Sequence, residues 1–182
     1  GLGDVYKRQD RYALGHKMAQ ITIRPAIPDD AKAIADLWNP MIRDSAVTFT
    51  SAQKTTSGLA QQIKDCNREG RGFLLAEDSQ GLMGFCTYFQ FRGGPGYART
   101  MEHSIILAER ARGQGLGQKL MQTLIGHARD AGVHTLWAGV SGENPSGITF
   151  HKSIGFTQIA VLPQVGRKFD RWMDLVLLQK FL

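Results

Sequence analysis

The amino-acid sequence predicts an α/β fold with one mixed, mostly antiparallel twisted sheet flanked by helices. A β-type pattern over residues 72–91 is followed, from residue 100 onward, by alternating strand and helix patterns, the order expected of a single mixed sheet. The chain has 182 residues, of which 42% are hydrophobic, enough for one domain with a substantial core. We expect that domain over residues 18–182, preceded by a leader or disordered extension over residues 1–17, which lack apolar periodicity.

The first part of the domain is predicted to contain one strand and two helices. Alternating isoleucines predict a strand over residues 20–25. A helix begins near Pro28, and Pro40 is expected to kink or shorten it because proline lacks a backbone donor. The second helix is capped by Ser57 or a neighbouring Thr and ends at Gly70.

The remaining elements follow from changes of period and from turn residues. A hairpin is expected where two β-type runs flank an Asp-Ser-Gln-Gly turn. Apolar residues four apart predict a long third helix that ends at Gly132, and an Asn-Pro-Ser sequence opens a short fourth helix that ends at Gly155. The predicted ranges are strands 73–76, 82–89, 100–107, 135–140, 156–162 and 173–178 and helices 116–131 and 144–155, with a loop between the last two strands.

Composition excludes several classes of protein. No apolar run approaches the roughly 20 residues that cross a bilayer. Without residues 1–17 the net charge of +6 falls to only +4, an excess that suits an anionic cofactor but is not gathered into the basic block typical of nucleic-acid binding. Cys66 and Cys86 have neither metal-ligand nor redox spacing, so we expect reduced thiols, a cytoplasmic location and no bound metal.

A glycine-rich segment before the third helix is the most informative feature of the chain. It reads Arg112-Gly113-Gln114-Gly115-Leu116-Gly117. Alternate glycines let the backbone approach a bulky ligand, and the first N–H groups of the helix that follows are unpaired. The segment therefore predicts an anion site suited to a pyrophosphate, with a flexible surface turn as the alternative.

Two other phosphate-binding loops do not fit this segment. A dinucleotide fingerprint requires a glycine where Gln118 stands, and no carboxylate closes the strand that follows. A P-loop requires a Gly-Lys-Ser/Thr ending, which is missing. The pyrophosphate would therefore belong to a different class of cofactor.

Two side chains are candidates for acid–base chemistry. Glu102 lies on the strand before the glycine loop, where apolar neighbours could raise its pKa; the alternative is a surface carboxylate paired with Lys or Arg. His151 lies on the short fourth helix and would titrate near neutral pH. A single histidine on a helix is more often packed or solvated than catalytic.

The spacing Arg/Gln-x-x-Gly-x-Gly/Ala from Arg112 resembles the acyl-CoA pyrophosphate loop of the GNAT N-acetyltransferases. Within that superfamily, three further segments resemble the phosphinothricin and methionine sulfoximine N-acetyltransferases: residues 97–104, 150–156 and 165–175, the last with Lys-Phe-x-Arg-Trp-x-Asp. The similarity runs from Ile21 to the C-terminus. It implies a GNAT fold with a splayed strand pair forming the acyl-CoA cleft, acetyl-CoA as co-substrate and a homodimer.

The resemblance also implies roles for individual residues. Glu102 would be the general base and His151, where many GNAT enzymes carry a Tyr, the general acid. Arg92 would clamp the substrate carboxylate, a bidentate role suited to Arg. The other implied substrate residues are Gly93, Gly94, Tyr97, His103 and Ser104. The implied cofactor residues are Ile105, Ile106, Leu107, Arg112, Gly113, Gln114, Gly115, Leu116, Gly117, Gln118, Asn144 and Ser153.

The chain departs from the family pattern at two places. Gly94 stands where a bulky apolar residue is common, and Asp170 stands where relatives often have Gly, so we expect a roomier pocket mouth. The predicted function is acetyl-CoA-dependent N-acetylation of a small amino acid or analogue, with no nucleic-acid or membrane partner. The alternatives are acetylation of protein N-termini or polyamines, and a non-catalytic CoA-binding sensor.

Overall fold

The computed structural model describes residues 20–182, so the predicted leader over residues 1–17 lies outside the described residues. Within this range seven strands and four α-helices form a single α/β domain. In chain order they are β1 (Thr22–Pro25), α1 (Ala31–Asp44), α2 (Thr56–Arg68), β2 (Phe73–Asp78), β3 (Gly81–Gln90), β4 (Thr100–Leu107), α3 (Leu116–Asp130), β5 (Thr135–Ser141), α4 (Pro145–Ser153), β6 (Thr157–Lys168) and β7 (Arg171–Phe181).

The seven strands form one sheet in the order β1-β2-β3-β4-β5-β7-β6. Every neighbouring pair is antiparallel except β4 and β5, which are parallel. The predicted fold class, a mostly antiparallel mixed sheet, is therefore confirmed. No helix among the described residues is both long and apolar enough to cross a lipid bilayer.

Helices cover both faces of the sheet because successive side chains of a strand point to opposite faces. On one face Cys86 and Tyr88 of β3 pack with α3, and α4 adds partly buried side chains. On the other face Phe73 and Phe85 pack with α1 and α2.

Helix α1 is not shortened at Pro40, contrary to one of the two outcomes expected from the sequence, because it continues to Asp44. Pro40 removes the bond to the carbonyl of Asp36, but both residues are exposed, so water can satisfy that carbonyl. The predicted cap of α2 is confirmed and belongs to Thr55, whose Oγ1 accepts a hydrogen bond from the Gly58 N–H at 3.0 Å.

The prediction of a loop between the last two strands is wrong. Strands β6 and β7 extend to a two-residue turn formed by Phe169 and Asp170, with φ of 52° and 57°. Such turns match the twist of a hairpin and usually carry Asn-Gly or Asp-Gly, so Phe-Asp gave no signal. The Lys168 and Gly166 assigned to a loop are strand residues.

Candidate active site

Strands β4 and β5 separate soon after they begin to pair. Their register pairs Thr100 with Thr135, Met101 with Leu136 and Glu102 with Trp137. Beyond Glu102 the two strands no longer pair with each other. Strand β4 stays bonded to β3 over residues 103–107, and β5 stays bonded to β7 over residues 138–141. Backbone N–H and C=O groups along both inner edges are thus left free, and the predicted splayed strand pair is confirmed.

A cavity of about 600 Å³ occupies the opening between the two strands. The glycine loop and α4 form one part of its lining, through Arg112, Gly113 and Phe150. Helix α1 and the segment after it form another part, through Trp38, Met41, Val47 and Thr48. Sequence reasoning missed these last four, because Trp38 and Met41 read as the buried stripe of a helix.

The glycine loop presents a row of backbone donors. Within the described residues, the N–H groups of residues 113–118 have no hydrogen-bond acceptor, although Arg112 N–H bonds to Glu109 and Lys119 N–H to Gly115. Gly113 and Gly115 have φ of 72° and 77°, a left-handed conformation that L-residues disfavour. The resulting concave run of N–H groups leads into the positive end of α3, which fits a pyrophosphate.

An ion pair fixes the approach to this loop. The Arg110 guanidinium donates to both carboxylate oxygens of Asp78, at 2.8 and 2.9 Å, and to the carbonyl of Gly81. Gln114 Nε2 in turn donates to the carbonyl of Arg110 at 2.7 Å. The loop is therefore held to the β2–β3 turn before any ligand binds.

Glu102 lies at the apex of the splay, where pairing of β4 and β5 ends. A Cβ on Gly139 would lie 2.8 Å from Glu102 Oε1, so the carboxylate occupies the space that Gly139 leaves open beside the cavity. Phe89 and Trp137 are its partners on the neighbouring strands, and Trp137 stacks on Phe91 with ring centroids 5.3 Å apart. Burial in these apolar surroundings raises the pKa of Glu102.

His103 and His151 form a buried hydrogen-bonded pair on the cavity wall. His151 Nδ1 lies 2.6 Å from the carbonyl oxygen of Gly147, which only accepts, so Nδ1 carries the proton. Burial lowers the pKa of His151, so the ring is neutral and its Nε2 is an acceptor. His103 Nε2 lies 3.0 Å from that atom and must donate to it.

These hydrogen bonds leave both rings neutral. Burial, and to a lesser degree His151, lowers the pKa of His103 to about 3, and its Nδ1 is buried without a partner. In this arrangement the proton of His151 lies on Nδ1 and is donated to the Gly147 carbonyl, and Nε2 accepts from His103. The role of His151 as general acid stays a prediction.

Comparison with known proteins agrees with this architecture. Residues 38–156 match the model of the acetyltransferase (GNAT) family. This chain belongs to the GNAT family.

Individual relatives cover almost the same length. The L-methionine sulfoximine/L-methionine sulfone acetyltransferase of Salmonella typhimurium is 33% identical over 87% of this chain and 93% of its own. A GNAT superfamily phosphinothricin acetyltransferase from Sinorhizobium meliloti, solved in complex with AcCoA, has a TM-score of 0.84 and 26% identity, covering 89% of this chain and 88% of its own. A ribosomal-protein-alanine N-acetyltransferase from Brucella melitensis has a TM-score of 0.85 and 34% identity, covering 88% and 99%.

The structure of this GNAT protein brings many of the predicted site residues to the cavity. Glu102 adjoins its apex through Gly139, and residues 114–118 continue the donor row from Gly113. The predicted residues that line the cavity are His103, Ser104, Ile105, Ile106, Leu107, Arg112, Gly113, Asn144 and His151.

Other predicted residues lie outside the cavity lining. Arg92, Gly93, Gly94 and Tyr97 are on the loop between β3 and β4, where the Arg92 guanidinium carbon is 6.0 Å from the centroid of the Tyr97 ring. Ser153 Oγ donates to the carbonyl of Phe150 at 2.6 Å and is exposed. No group of three His, Cys, Asp or Glu side chains that could hold a metal ion occurs among residues 20–182.

Proposed function

We propose that this GNAT protein transfers an acetyl group from acetyl-CoA to the α-amino group of a small amino acid or analogue, of the methionine sulfoximine, methionine sulfone or phosphinothricin type. One observation carries the proposal. The row of unpaired N–H groups over residues 113–118 begins at Gly113, which lines the cavity, and Glu102, whose pKa is raised, adjoins the same cavity through Gly139. The names of the relatives support the acceptor class.

Acetyl-CoA would supply the acetyl thioester. Its pyrophosphate suits the N–H groups of residues 113–118, with Arg112 beside them on the cavity wall. Its pantetheine arm suits the free backbone edge of Ile105, Ile106 and Leu107, because an extended amide chain can pair with a strand edge. Asn144 caps α4 through Gly147 N–H at 3.1 Å and lies on the same wall; Ser153 remains a prediction.

Glu102 is the proposed general base. An acceptor amine is a nucleophile only after it loses a proton, and a carboxylate whose pKa is raised toward neutrality accepts that proton more readily. The free N–H groups at the inner edge of β4 are suited to stabilise the oxyanion of the reacting carbonyl. His103 and His151 would act as a neutral wall of the cleft.

The acceptor would enter from the α1 side of the cleft. Trp38, Met41 and Val47 give that side an apolar wall, which suits an amino acid with an uncharged, methionine-sized side chain. Ser104 lines the same cavity. The carboxylate of the acceptor would pair with Arg92. This residue lies with Gly93, Gly94 and Tyr97 on the loop that joins β3 to β4.

A thiol-release assay tests the proposal. Acetyl-CoA is offered with methionine sulfone, methionine sulfoximine, phosphinothricin, the common amino acids, spermidine and an alanine-terminated peptide, and the rate is corrected for hydrolysis. We expect turnover with the free amino-acid analogues. No thiol release with any amino acid or analogue would overturn the proposal. Binding of CoA without turnover of any amine would favour a sensor.

Acetylation of protein N-termini is the second candidate, favoured by the likeness to the ribosomal-protein-alanine acetyltransferase. The two functions differ in their need for a free carboxylate. Methionine sulfone and its C-terminal amide form a matched pair of acceptors. A lower kcat/KM for the amide, and the same loss when Arg92→Met acts on the free acid, would favour amino acids; equal rates would favour peptides.

We also propose a cytoplasmic homodimer. Strand β6 is an edge of the sheet, and it carries three exposed apolar side chains, Ile159, Val161 and Val165, beside Trp172 of β7, which is 56% exposed. An exposed apolar edge of this kind favours pairing with a second chain. Light scattering should give twice the chain mass, and Val161→Lys should reduce it; a wild-type monomer would contradict the proposal.

A further inference from the structure

The C-terminal sequence motif over residues 168–174 is not explained by the cavity, because none of its residues lines it. Its first residue, Lys168, is nevertheless only 7% exposed. Lysine is among the residues least often buried unless its charge finds partners. The partners of Lys168 therefore indicate what the motif does.

The Lys168 ammonium donates to three backbone carbonyls of α1 and of the segment that follows it. Nζ lies 2.6 Å from the oxygen of Ile42, 2.6 Å from that of Ser45 and 2.9 Å from that of Thr48. Ile42 lies in the last turn of α1 and Ser45 is its C-cap, so the cation also faces the negative end of the helix dipole. All three N–H groups of the ammonium are thereby used.

A second contact joins the same two parts of the chain. The ring of Phe49 lies so close to the backbone of Gly166 that a Cβ there would overlap it. Gly166 has no positive φ, so the small residue is needed for this close approach and not for backbone conformation. The hairpin thus holds residues 45–49 by packing at one point and by charge at another.

The segment held in this way is a wall of the cleft. Val47 and Thr48 line the cavity together with Trp38 and Met41 of α1. Residues 45–49 belong to no helix or strand, and in the described part of the chain the hydrogen bonds that join them to an element other than α1 come from Lys168. The position of this wall therefore depends on Lys168.

We propose that Lys168 is a positioning residue that fixes the acceptor-side wall of the cleft and thereby sets the affinity for the amine acceptor. The inference rests on the proposed function, because that function places the amine acceptor on the α1 side of the cleft. Lys168 acts through Val47 and Thr48 and touches neither the acceptor nor acetyl-CoA. Its loss should separate acceptor affinity from cofactor affinity.

Lys168→Met is the test variant, and Arg167→Met is its matched control. The control also removes a cation from β6, but Arg167 donates to no carbonyl of α1. We expect Lys168→Met to raise the KM for methionine sulfone about tenfold, with kcat and the acetyl-CoA Kd changed less than about threefold. Amide hydrogen exchange over residues 42–45, the last turn of α1 and its C-cap, should accelerate in this variant, because these N–H groups are bonded within the helix end that Lys168 holds. Arg167→Met should match wild type in each measurement.

Three outcomes would overturn the proposal: exchange over residues 42–45 that equals wild type, equal increases in acceptor KM and acetyl-CoA Kd, or the same changes in Arg167→Met. If Lys168→Met does not fold, Gly166→Ala decides, because it keeps Lys168 and displaces Phe49; an unchanged acceptor KM there also overturns the proposal. Hydrogen exchange requires no turnover, so a wild type inactive on all amines would refute the proposed function separately.

Discussion

His103 Nε2 and His151 Nε2 lie 3.0 Å apart, and the bond of His151 Nδ1 to the Gly147 carbonyl sets its direction: His103 donates and His151 accepts. The pair joins β4 to α4 across the wall of the cleft. Both rings are neutral at neutral pH in this arrangement, and the Nδ1 proton of His151 is donated to the Gly147 carbonyl. The role of His151 as general acid stays a prediction.

Two amide substitutions at His103 test this direction. The side-chain amide of Gln reaches the position of Nε2 and can still donate to His151, whereas the amide of Asn ends near Nδ1. We expect His103→Asn to be about 1–3 kcal/mol less stable than His103→Gln, because it leaves the buried Nε2 of His151 without a donor. Urea unfolding with equal m-values measures the difference; equal midpoints would contradict the assigned direction.

The same pair makes stability depend on pH. The pKa of His103 is lowered to about 3 from 6.5, and that of His151 is also lowered, by burial. Below pH 6.5 the unfolded chain therefore binds protons that the folded chain does not, so the free energy of unfolding falls as the pH falls, by up to about 1.4 kcal/mol per pH unit for each group.

Unfolding midpoints between pH 7 and pH 4 check this dependence. The slope should be smaller in His103→Gln, which has lost one of the two titrating rings. A slope that is identical in the variant and in wild type would assign the pH dependence to other groups.

Glu102 should control the acid limb of the rate. Its pKa is raised from 4.5 by burial, and a general base works only when ionised, so kcat/KM should fall as the pH drops through a value above 4.5. Glu102→Gln should lower the rate about 100-fold at neutral pH, remove that limb and leave the acetyl-CoA Kd nearly unchanged. Glu69→Gln, on the exposed end of α2, is the control. A pH–rate profile of Glu102→Gln parallel to wild type would exclude Glu102 as the base.

Alanine substitutions of two glycines, one just before α3 and one inside it, distinguish an effect on cofactor binding from an effect on helix stability. Neither Gly115 nor Gly126 has an atom within 4 Å of an added Cβ, but Gly115 has a φ of 77°. Gly115→Ala should cost about 1–2 kcal/mol and weaken CoA binding about tenfold by distorting the donor row. Gly126→Ala should stabilise the protein by about 0.5–1 kcal/mol and leave CoA binding unchanged. Calorimetric titration checks both, and equal CoA affinities would argue against the loop as the pyrophosphate site.

The elements that sequence reasoning predicted well are those fixed by local chemistry. The glycine loop, the stripe of α3 and the hairpin of β2 and β3 each depend on residues close together in the chain. The length of β6 and β7 could not be predicted, because Phe169 and Asp170 are not residue types that signal the positive φ they adopt in the turn between the paired strands. Trp38 and Met41 were not predicted as site residues, because a half-buried helix face does not reveal whether it meets core or cavity. Val47 and Thr48 lie in the segment after that helix, which is placed by Lys168 from a distant part of the chain.

By itself, the sequence determined the fold class and the donor row over residues 113–118, because glycine spacing and hydrophobic period act within a few residues of each other. Only the tertiary structure decided the state of the histidines and the setting of Glu102. His103 and His151 are 48 residues apart in the chain, and Lys168 reaches carbonyls more than a hundred residues earlier. Protonation and burial depend on such distant neighbours, which packing brings together.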